Sequence, residues 1–518
     1  MPSAEFTVLD NSNIVESYPG ITLPLTYSYI KRAYNDVVSG LVSSNLKNDE
    51  ILKKFYPVFE NLIKSYNGRI YYQLNNWYSL IDFLPFPKKI LPLWQEMIGI
   101  QNRDVYLGSF HKFTFWQKAK LYLNAAKSFL HIQKNMKLLA EDFALLQESF
   151  QKKYSEALTI HELLALFYEV QSILFDKWHI TLVNDIYAFV WTGILKRRLQ
   201  KKGCEVTNSI SGITSLESLK PVRLLLALSK KYGTDETLLS NPEVVDYLKS
   251  YGDRCPCELK LEMMTYREQP ALLERQIREY ASDPEKLDAM IKNLHADEAA
   301  QLKRSYSAKR AQLGISRRET SRLDRGRLYG MVRRIFIQIG ELLANDGYIK
   351  ASRDIFYITI EEIESGSFSG FLELVASRKE EYDAYEKRPG HERLVFRGEK
   401  LIDEKIAKNW TGSFTGIGTS MGSITAEAVV LESPSEGADV KGKIIVTKTT
   451  DPGWVFLLTM AGGIVAEKGS LLSHTAIVSR ELGIPAVVAV ENATAVIQTG
   501  DILHINGEDG RVSIVKPA

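Results

Sequence analysis

The residue pattern of this chain changes near residue 410, and that change is the strongest constraint on its fold. Upstream, apolar residues recur three or four positions apart, as in 163–174 and 328–343, which is the spacing of buried helix faces. Downstream, short runs rich in Val and Ile alternate with Gly, Pro and Asp, a pattern typical of strands joined by turns. We therefore predict a mostly α-helical domain over residues 1–395, a linker over 396–411 and an α/β domain over 412–518.

The amino-acid composition of the chain argues against several classes of protein. The 518 residues include 65 Lys and Arg against 63 Asp and Glu, so the chain lacks the basic excess of a general nucleic-acid binder. Three cysteines cannot build a disulfide framework, which favours a reducing compartment. No apolar run reaches about 18 residues, and the N-terminus does not resemble a signal peptide. We expect a cytoplasmic protein with neither nucleic acid nor membrane as a partner.

The segment 462–490 predicts a strand, a turn-rich loop, a helix and a second strand. GGIVAE is a short buried-strand run, and Ser473 is a good residue to cap a helix N-terminus. Gly483 is a typical C-cap, and Pro485 stops the helix before the strand run PAVVAV. His474 is therefore expected at the N-terminus of this helix.

That position suits a histidine that accepts a phosphoryl group. The positive end of the helix disfavours the imidazolium, so His474 would stay neutral and nucleophilic near neutral pH. Backbone N–H groups at a helix N-terminus can hold an anion, and the hydroxyls of Ser473 and Thr475 could add hydrogen bonds to it. Taken alone, one histidine at a helix start is a weak signal, and an ordinary structural role explains it better.

A longer pattern surrounds the histidine and extends over the whole of 412–518; its matching residues are Thr450-Asp451-Pro452, Gly463, Glu467, Gly469, Ser473-His474, Ala476-Ile477, Arg480-Glu481 and Gly483-Ile484-Pro485-Ala486-Val487-Val488. This pattern resembles the phosphohistidine swivelling domain of the phosphoenolpyruvate-utilising enzymes, the family of pyruvate phosphate dikinase, phosphoenolpyruvate synthase and rifampin phosphotransferase. Ser470 departs from it, because the family usually has a second Gly there. The resemblance implies that His474 carries the phosphoryl group, with Gly469, Glu467 and Asp451 supporting its loop. A turn-capping role is the alternative for Asp451.

Upstream segments resemble the same family, in a layout closest to rifampin phosphotransferase; they are 8–28, YGDRCPCELKLE at 251–262, and the two runs RRETSRLDRGRLYGMVRRIF and RDIFYITIEEI. The resemblance implies that residues 1–395 form the substrate-binding domain. The phosphoenolpyruvate-binding barrel of the synthases and dikinases has no counterpart in this sequence.

We also expect the ATP-binding part of such an enzyme to lie outside this sequence. The chain starts at the point where an ATP-grasp domain would already have ended, and no P-loop pattern occurs in it. The resemblance then implies a separate ATP-grasp protein, similar to the N-terminal part of pyruvate phosphate dikinase, that binds ATP and Mg²⁺. The β-phosphate of ATP would pass to His474 with release of AMP and phosphate. This chain itself is expected to hold no metal and no tightly bound cofactor.

Arg318, Arg322 and Arg325 lie at positions i, i+4 and i+7 of a predicted helix and so share one face. Like charges at this spacing favour an anion or carboxylates opposite them. Arg318-Glu319-x-x-Arg322 resembles the R-E-x-x-K segment of rifampin phosphotransferase, which implies basic side chains beside the phosphohistidine. Arg322 stands where that segment has Lys; it can still bind phosphate bidentately but is a worse proton donor or acceptor. The alternative is a solvated or salt-bridged helix face.

Weaker candidates lie in the predicted helical domain. Arg254 and Glu258 are a possible catalytic pair, or a structural ion pair at helical spacing. Tyr72 and Trp77 belong to an aromatic-rich segment that forms either a wall for a large or apolar substrate or part of a core. The two cysteines of Cys255–Cys257 do not indicate zinc, because the sequence has no second cysteine pair.

The resemblance implies a dikinase-type phosphotransferase component that carries a phosphoryl group on His474 from ATP to a hydroxyl, carboxyl or enol group of a small molecule. One alternative uses the phosphoryl group to activate an acid for condensation, as in related pigment-forming ligases. Two further alternatives are a non-catalytic phosphohistidine carrier and a degenerate scaffold in which His474 does nothing.

Overall fold

The computed structural model divides the chain into two compact units. The first contains Met1–Asn184, Lys260–Glu262 and Leu328–Ile406, and the second contains Asp185–Leu259, Met263–Arg327 and Ala407–Ala518. The structure describes residues 6–83, 91, 113–201, 220–255, 257–296, 305–388, 390–404, 413–434, 438–450, 452–469 and 473–516. The predicted boundaries at 395 and 412 differ from this division and stay a prediction.

The first unit is mostly helical, as the apolar spacing predicts. Its described α-helices are α1 Pro24–Leu46, α2 Asp49–Phe59, α3 Leu74–Ser79, α4 Phe115–Leu130, α5 Ile132–Lys153, α6 Ile160–Ile173, the start of α7 His179–Gln200, the end of α12 Tyr306–Asn345, α13 Ile360–Glu364 and α14 Phe371–Glu386. Capping boxes fix the starts of three of them, with Thr114, Thr159 and Thr359 each bonded to the backbone three residues on.

The first unit also contains an antiparallel sheet that the periodicity did not indicate. Its described strands are β1 Phe6–Asp10, β2 Ile63–Tyr66, β3 Arg69–Gln73, β4 Arg393–Arg397 and β5 Lys400–Glu404, in the order β2-β3-β1-β4-β5. The strands are four or five residues long, and β1 and β4 lie almost 400 residues apart in the sequence although they pair. No local residue pattern therefore predicts the sheet. The hairpin β4–β5 occupies the start of the predicted linker, and residues 405–412 lie outside the described ranges.

The aromatic side chains of the first unit pack on one another. Tyr72 and Trp77 are 8% and 9% exposed, and their ring centroids lie 4.9 Å apart. Tyr34 packs edge-on against both rings, and the Trp77 indole donates a hydrogen bond of 2.9 Å to the Leu62 carbonyl. This environment favours the core interpretation of Tyr72 and Trp77 over a substrate wall.

The second unit combines helices with a mixed sheet. Its described helices are the rest of α7, α8 Lys220–Tyr232, α9 Pro242–Tyr251, α10 Pro270–Ala281, α11 Pro284–Ala296, the first part of α12, α15 Val455–Met460, α16 His474–Leu482 and α17 Ala493–Val496. Its described strands are β6 Ser413–Thr415, β7 Ile417–Ser420, β8 Ser423–Leu431, β9 Ile444–Thr447, β10 Gly463–Ala466, β11 Ala486–Val488, β12 Ile502–Asn506 and β13 Arg511–Lys516.

The strand order is β6-β13-β12-β8-β9-β10-β11-β7, in which β8, β9, β10 and β11 run parallel and the other neighbours pair antiparallel. The expected strand-rich C-terminal region is therefore confirmed.

An apolar cluster joins the C-terminal sheet's helices to the helices α8–α11 of the same unit. Leu226, Leu273, Ile277 and Tyr280 are among its members from α8 and α10, and Trp454, Val455, Leu458, Ile477 and Val478 come from the C-terminal region. The Thr459 hydroxyl bonds to the Tyr280 hydroxyl at 2.9 Å, and Lys441 pairs with Asp283 at 2.7 Å. The burial of these apolar side chains holds α15 and α16 against helices α8–α11.

The described helices include none with both the length and the apolarity needed to cross a membrane.

We predict opposite stability effects for two glycines in the helix pair α7–α12. A Cβ on Gly314 would lie 2.8 Å from Ala188 Cα, whereas a Cβ on Gly193 would meet no atom within 4 Å. Gly314→Ala should lower the free energy of unfolding by about 1–3 kcal/mol through overpacking. Gly193→Ala should raise it by about 0.5–1 kcal/mol through helix propensity. Urea unfolding of both variants checks this, and equal effects would contradict the close approach of α7 and α12.

Candidate active site

His474 is the first residue of helix α16, as the sequence predicts. Ser473 caps the helix, with its hydroxyl accepting from the Ala476 N–H at 3.3 Å, and Gly483 ends it at φ 67°. The imidazole is 2% exposed, and neither of its ring nitrogens has a hydrogen-bond partner among the described residues.

The ring is held neutral. Burial is the largest influence and lowers the pKa of His474, and the positive charges of Arg322 and Arg254 lower it further. Glu319 acts in the opposite direction and only partly offsets them. The helix N-terminus adds to the effect, because its dipole disfavours a cation. A neutral imidazole keeps one nitrogen lone pair free for attack.

Glu319 on α12 lies opposite the histidine. Its carboxylate is fully buried, and its Oε2 lies 3.8 Å from His474 Nδ1, an ion-pair distance that is too long for a hydrogen bond. Burial alone would raise the pKa of Glu319, but Arg322, His474 and Arg318 together reverse this and hold the pKa at about 2. Glu319 is therefore an anion that faces one edge of the imidazole.

Glu319 lies within the motif Arg318-Glu319-x-x-Arg322, but the sequence alone did not predict a role for it. The sequence feature that could have indicated a role for Glu319 is its position between Arg318 and Arg322, on a helix with an excess of positive charge. Such a carboxylate is the counter-ion that the arginine stripe was expected to need.

The predicted arginine stripe faces carboxylates. Arg322 Nη1 lies 3.8 Å from Glu319 Oε1, and Arg318 Nε lies 3.5 Å from Asp185 Oδ1 on α7. Both ion pairs are looser than a hydrogen-bonded pair. Arg325 has a buried Nε without a hydrogen-bond partner among the described residues, and its charge is not among the largest influences on the pKa of His474.

The residues expected to support the histidine loop have local partners. The Thr475 hydroxyl shares a hydrogen bond of 2.7 Å with the buried Thr450 hydroxyl, which ties the first turn of α16 to the end of the loop after β9. The Glu467 carboxylate accepts from the Thr494 N–H at 2.7 Å and from its hydroxyl at 2.5 Å, so it holds the start of α17. These contacts position the loop and the helix.

Gly469 has a positional reason to be glycine. Its φ is 139°, and a Cβ there would lie 2.9 Å from Ser473 Oγ. Any other residue would strain the turn and push against the helix cap. Asp451 and Ser470 lie outside the described residues.

Arg254 and Glu258 form a buried ion pair on the turn after α9. Arg254 Nε lies 2.8 Å from Glu258 Oε1, and the two side chains are 13% and 6% exposed. Within the described ranges, no group of three or more His, Cys, Asp or Glu side chains is arranged to hold a metal ion.

We predict that the two charges beside His474 move its pKa in opposite directions. Glu319→Gln removes an anion and should lower the pKa of His474, whereas Arg322→Gln removes a cation and should raise it. Arg325→Gln, on the same helix, should leave it unchanged. Histidine-selective NMR titration, with His474→Ala to assign the signal, measures all three. A rise with Glu319→Gln would contradict the arrangement.

The chain is similar to known proteins over parts of its length. Residues 439–510 match the family model described as PEP-utilising enzyme, mobile domain. Rifampicin phosphotransferase of Bacillus subtilis is 30% identical over 334 residues, which are 58% of this chain and 37% of that protein. The prodigiosin synthesizing transferase PigC of Serratia marcescens is 27% identical over 349 residues, 60% of this chain and 38% of that protein.

A probable phosphoenolpyruvate synthase of Staphylothermus marinus is 37% identical over 142 residues, 26% of this chain and 16% of that protein. The chain thus spans little more than a third of the length of the first relatives it matches. The mobile-domain match and these relatives together show that the chain is similar to phosphoenolpyruvate-utilising enzymes, with residues 439–510 matching their mobile domain.

Proposed function

We propose that this chain is a phosphotransferase component that carries a phosphoryl group on His474 and delivers it to a small-molecule acceptor. The observation that carries the proposal is the buried, neutral imidazole at a helix N-terminus, with Glu319 facing one ring nitrogen and Arg322 beside that carboxylate. The kinship with rifampicin phosphotransferases and phosphoenolpyruvate synthases supports the same chemistry.

In this proposal Nε2 is the nucleophile. Nδ1 faces Glu319, so the favoured tautomer has its proton on Nδ1 and its lone pair on Nε2. As the Nε2–P bond forms, the bond between phosphorus and the donor oxygen breaks, and the electron pair stays on the donor oxygen. The ring gains positive charge in this step, and the carboxylate of Glu319 stabilises it. Transfer to the acceptor reverses the same charge movement.

Arg322 and Arg318 neutralise the phosphoryl oxygens. Phosphoryl transfer depends mainly on positioning and charge stabilisation. Arg322 lies beside Glu319 and Arg318 beside Asp185, and guanidinium groups are strong ligands for phosphate oxygens. We assign Ser473, Thr475, Gly469 and Glu467 to holding the histidine loop.

The donor in this proposal is ATP with Mg²⁺, bound by an ATP-grasp protein outside residues 1–518, and the setting is the cytoplasm. The Mg²⁺ would be bound together with the nucleotide phosphates. Its role there is to offset phosphate charge in the step that charges His474.

A second candidate is a condensing enzyme in which the phosphoryl group activates an acid. The relation to the prodigiosin synthesizing transferase PigC, over 60% of this chain, is the observation that favours it. Product analysis separates the two, because a ligase releases free phosphate and a condensed product, whereas a phosphotransferase releases a phosphorylated acceptor.

We predict one acid-labile phosphoryl adduct on His474 after incubation with ATP, Mg²⁺ and an ATP-grasp partner. His474→Ala should abolish the adduct, and Arg322→Gln should slow its formation at least tenfold because the phosphate charge is less well balanced. His504→Ala, which removes a histidine of strand β12, is the matched control and should be charged normally. Intact-mass measurement reports each adduct.

Two outcomes would contradict parts of this account. An adduct that forms on the isolated chain would overturn the external ATP site. Equal labelling of wild type and His474→Ala would overturn the carrier role of His474.

A further inference from the structure

Helix α4 of the first unit presents large apolar side chains to solvent. Trp116, Leu123 and Leu130 are 79%, 72% and 78% exposed. They are seven residues apart, close to two helical turns, so they form one apolar stripe about 21 Å long. Phe115 is 76% exposed, and its ring centroid lies 5.4 Å from that of Trp116 at one end of the stripe. Single exposed apolar residues are ordinary, whereas an aligned set marks an interaction surface.

Folding of the first unit uses little of the apolar surface of α4. Leu121 is the one buried residue among the sixteen of this helix. Asn124, three residues further on the same side, donates a hydrogen bond of 2.7 Å to the Asn45 carbonyl at the end of α1. A surface helix of a globular protein normally turns its apolar side toward the core. The apolar stripe of α4 points the other way, which packing within the unit does not explain.

Lysines border the apolar stripe. The helix contains Lys118, Lys120 and Lys127 and no Asp or Glu. Lys120 follows Trp116 by four residues and Lys127 follows Leu123 by four, a spacing that places each lysine beside the stripe. An apolar stripe with Trp at one end and lysines along its edge is typical of helices that lie in the interface of an anionic bilayer. In that position the lysines meet the phosphate groups of the lipids.

The same lysines disfavour a second copy of the chain as the partner of this surface. A two-fold dimer brings the same patch of both copies together. The lysines along one stripe would then approach the lysines along the other, and like charges weaken such a contact. A bilayer surface rich in anionic lipid has the opposite charge and needs no shaped groove on the protein.

We propose that α4 is a membrane-surface helix, whose apolar stripe enters an anionic bilayer and whose flanking lysines bind lipid phosphates. This inference goes beyond the proposed phosphoryl transfer and does not depend on it. The expectation that the chain has no membrane partner rested on the lack of a spanning segment, and a helix that lies in the interface needs none. Anionic lipids face the cytoplasm, which is the setting proposed above for the chain.

The test uses the full chain with vesicles of phosphatidylcholine alone or of an equimolar mixture of phosphatidylcholine and phosphatidylglycerol. Co-sedimentation measures the bound fraction. Lipids brominated in their acyl chains quench the fluorescence of an inserted tryptophan, and Trp116→Phe identifies the contribution of Trp116. One double variant combines Leu123→Gln with Leu130→Gln, and the other combines Lys120→Gln with Lys127→Gln. All these positions are exposed, and thermal unfolding checks that the variants fold.

The matched control is Val515→Gln. Val515 is 60% exposed on β13 of the second unit, so this change also replaces an exposed apolar side chain with glutamine. If any loss of exposed apolar surface weakened sedimentation, the control would bind vesicles as poorly as the stripe variant. We expect it to bind as wild type does.

We expect wild type to bind the anionic vesicles at least tenfold more tightly than phosphatidylcholine vesicles, with quenching that Trp116→Phe reduces. Each double variant should bind the anionic vesicles at least tenfold more weakly than wild type. Raised salt should weaken binding by wild type, because it screens the lysines.

Three outcomes would overturn the proposal. Equal binding by wild type and the Leu123–Leu130 variant would exclude the apolar stripe as the membrane contact. Equal binding to both vesicle compositions would exclude recognition of anionic lipid. A wild-type chain that binds neither vesicle but forms a dimer that the Leu123–Leu130 variant lacks would assign the stripe to a second copy.

Discussion

The burial of His474 against Glu319 is the contact on which the candidate site depends. A solvated imidazole would titrate near its ordinary pKa and would be partly protonated, but here burial and the nearby arginines keep it neutral. The carboxylate stays ionised despite its own burial, because Arg322 and Arg318 lower its pKa. Arg322 is the cation that acts on both groups, lowering the pKa of His474 and that of Glu319. A substitution of Arg322 should therefore change the pKa of both groups together.

The packing around α16 fixes the position of His474 relative to Glu319. Ser473 and Gly483 fix the two ends of a nine-residue helix, and the Thr450–Thr475 hydrogen bond fixes its first turn. The apolar cluster with α8–α11 and the Tyr280–Thr459 and Asp283–Lys441 contacts hold that helix at α12. In the proposed cycle, a histidine that meets a donor elsewhere must first break these contacts. The same apolar burial would favour its return and exclude water from the phosphorylated ring.

Local signals predicted the C-terminal region well and long-range pairing poorly. The helix expected over Ser473–Leu482 runs over His474–Leu482, because its cap, its apolar face and its terminating Gly-Ile-Pro all lie within a dozen residues. The sheet of the first unit was not predicted, because β1 and β4 are almost 400 residues apart and each is too short to show a period. For the same reason, the sequence did not indicate that the hairpin β4–β5 overlaps the predicted linker 396–411.

In the candidate site, too, the sequence predicted local features but not contacts between distant residues. The arginine stripe was visible as spacing within one helix, and so was the need for carboxylates opposite it. That Asp185 of α7 is one of these partners could not be read from the sequence, since it lies more than a hundred residues away. Tyr72 and Trp77 stood out by composition, yet composition does not distinguish a buried aromatic cluster from a substrate wall.

We propose that His474 carries the phosphoryl group on the ring nitrogen that faces away from Glu319. Phosphorus–nitrogen correlation NMR of the phosphorylated, ¹⁵N-histidine-labelled chain tests this role most directly. We expect a single phosphohistidine with phosphorus on Nε2 and a proton on Nδ1. Phosphorus on Nδ1, or on a histidine other than His474, would contradict it.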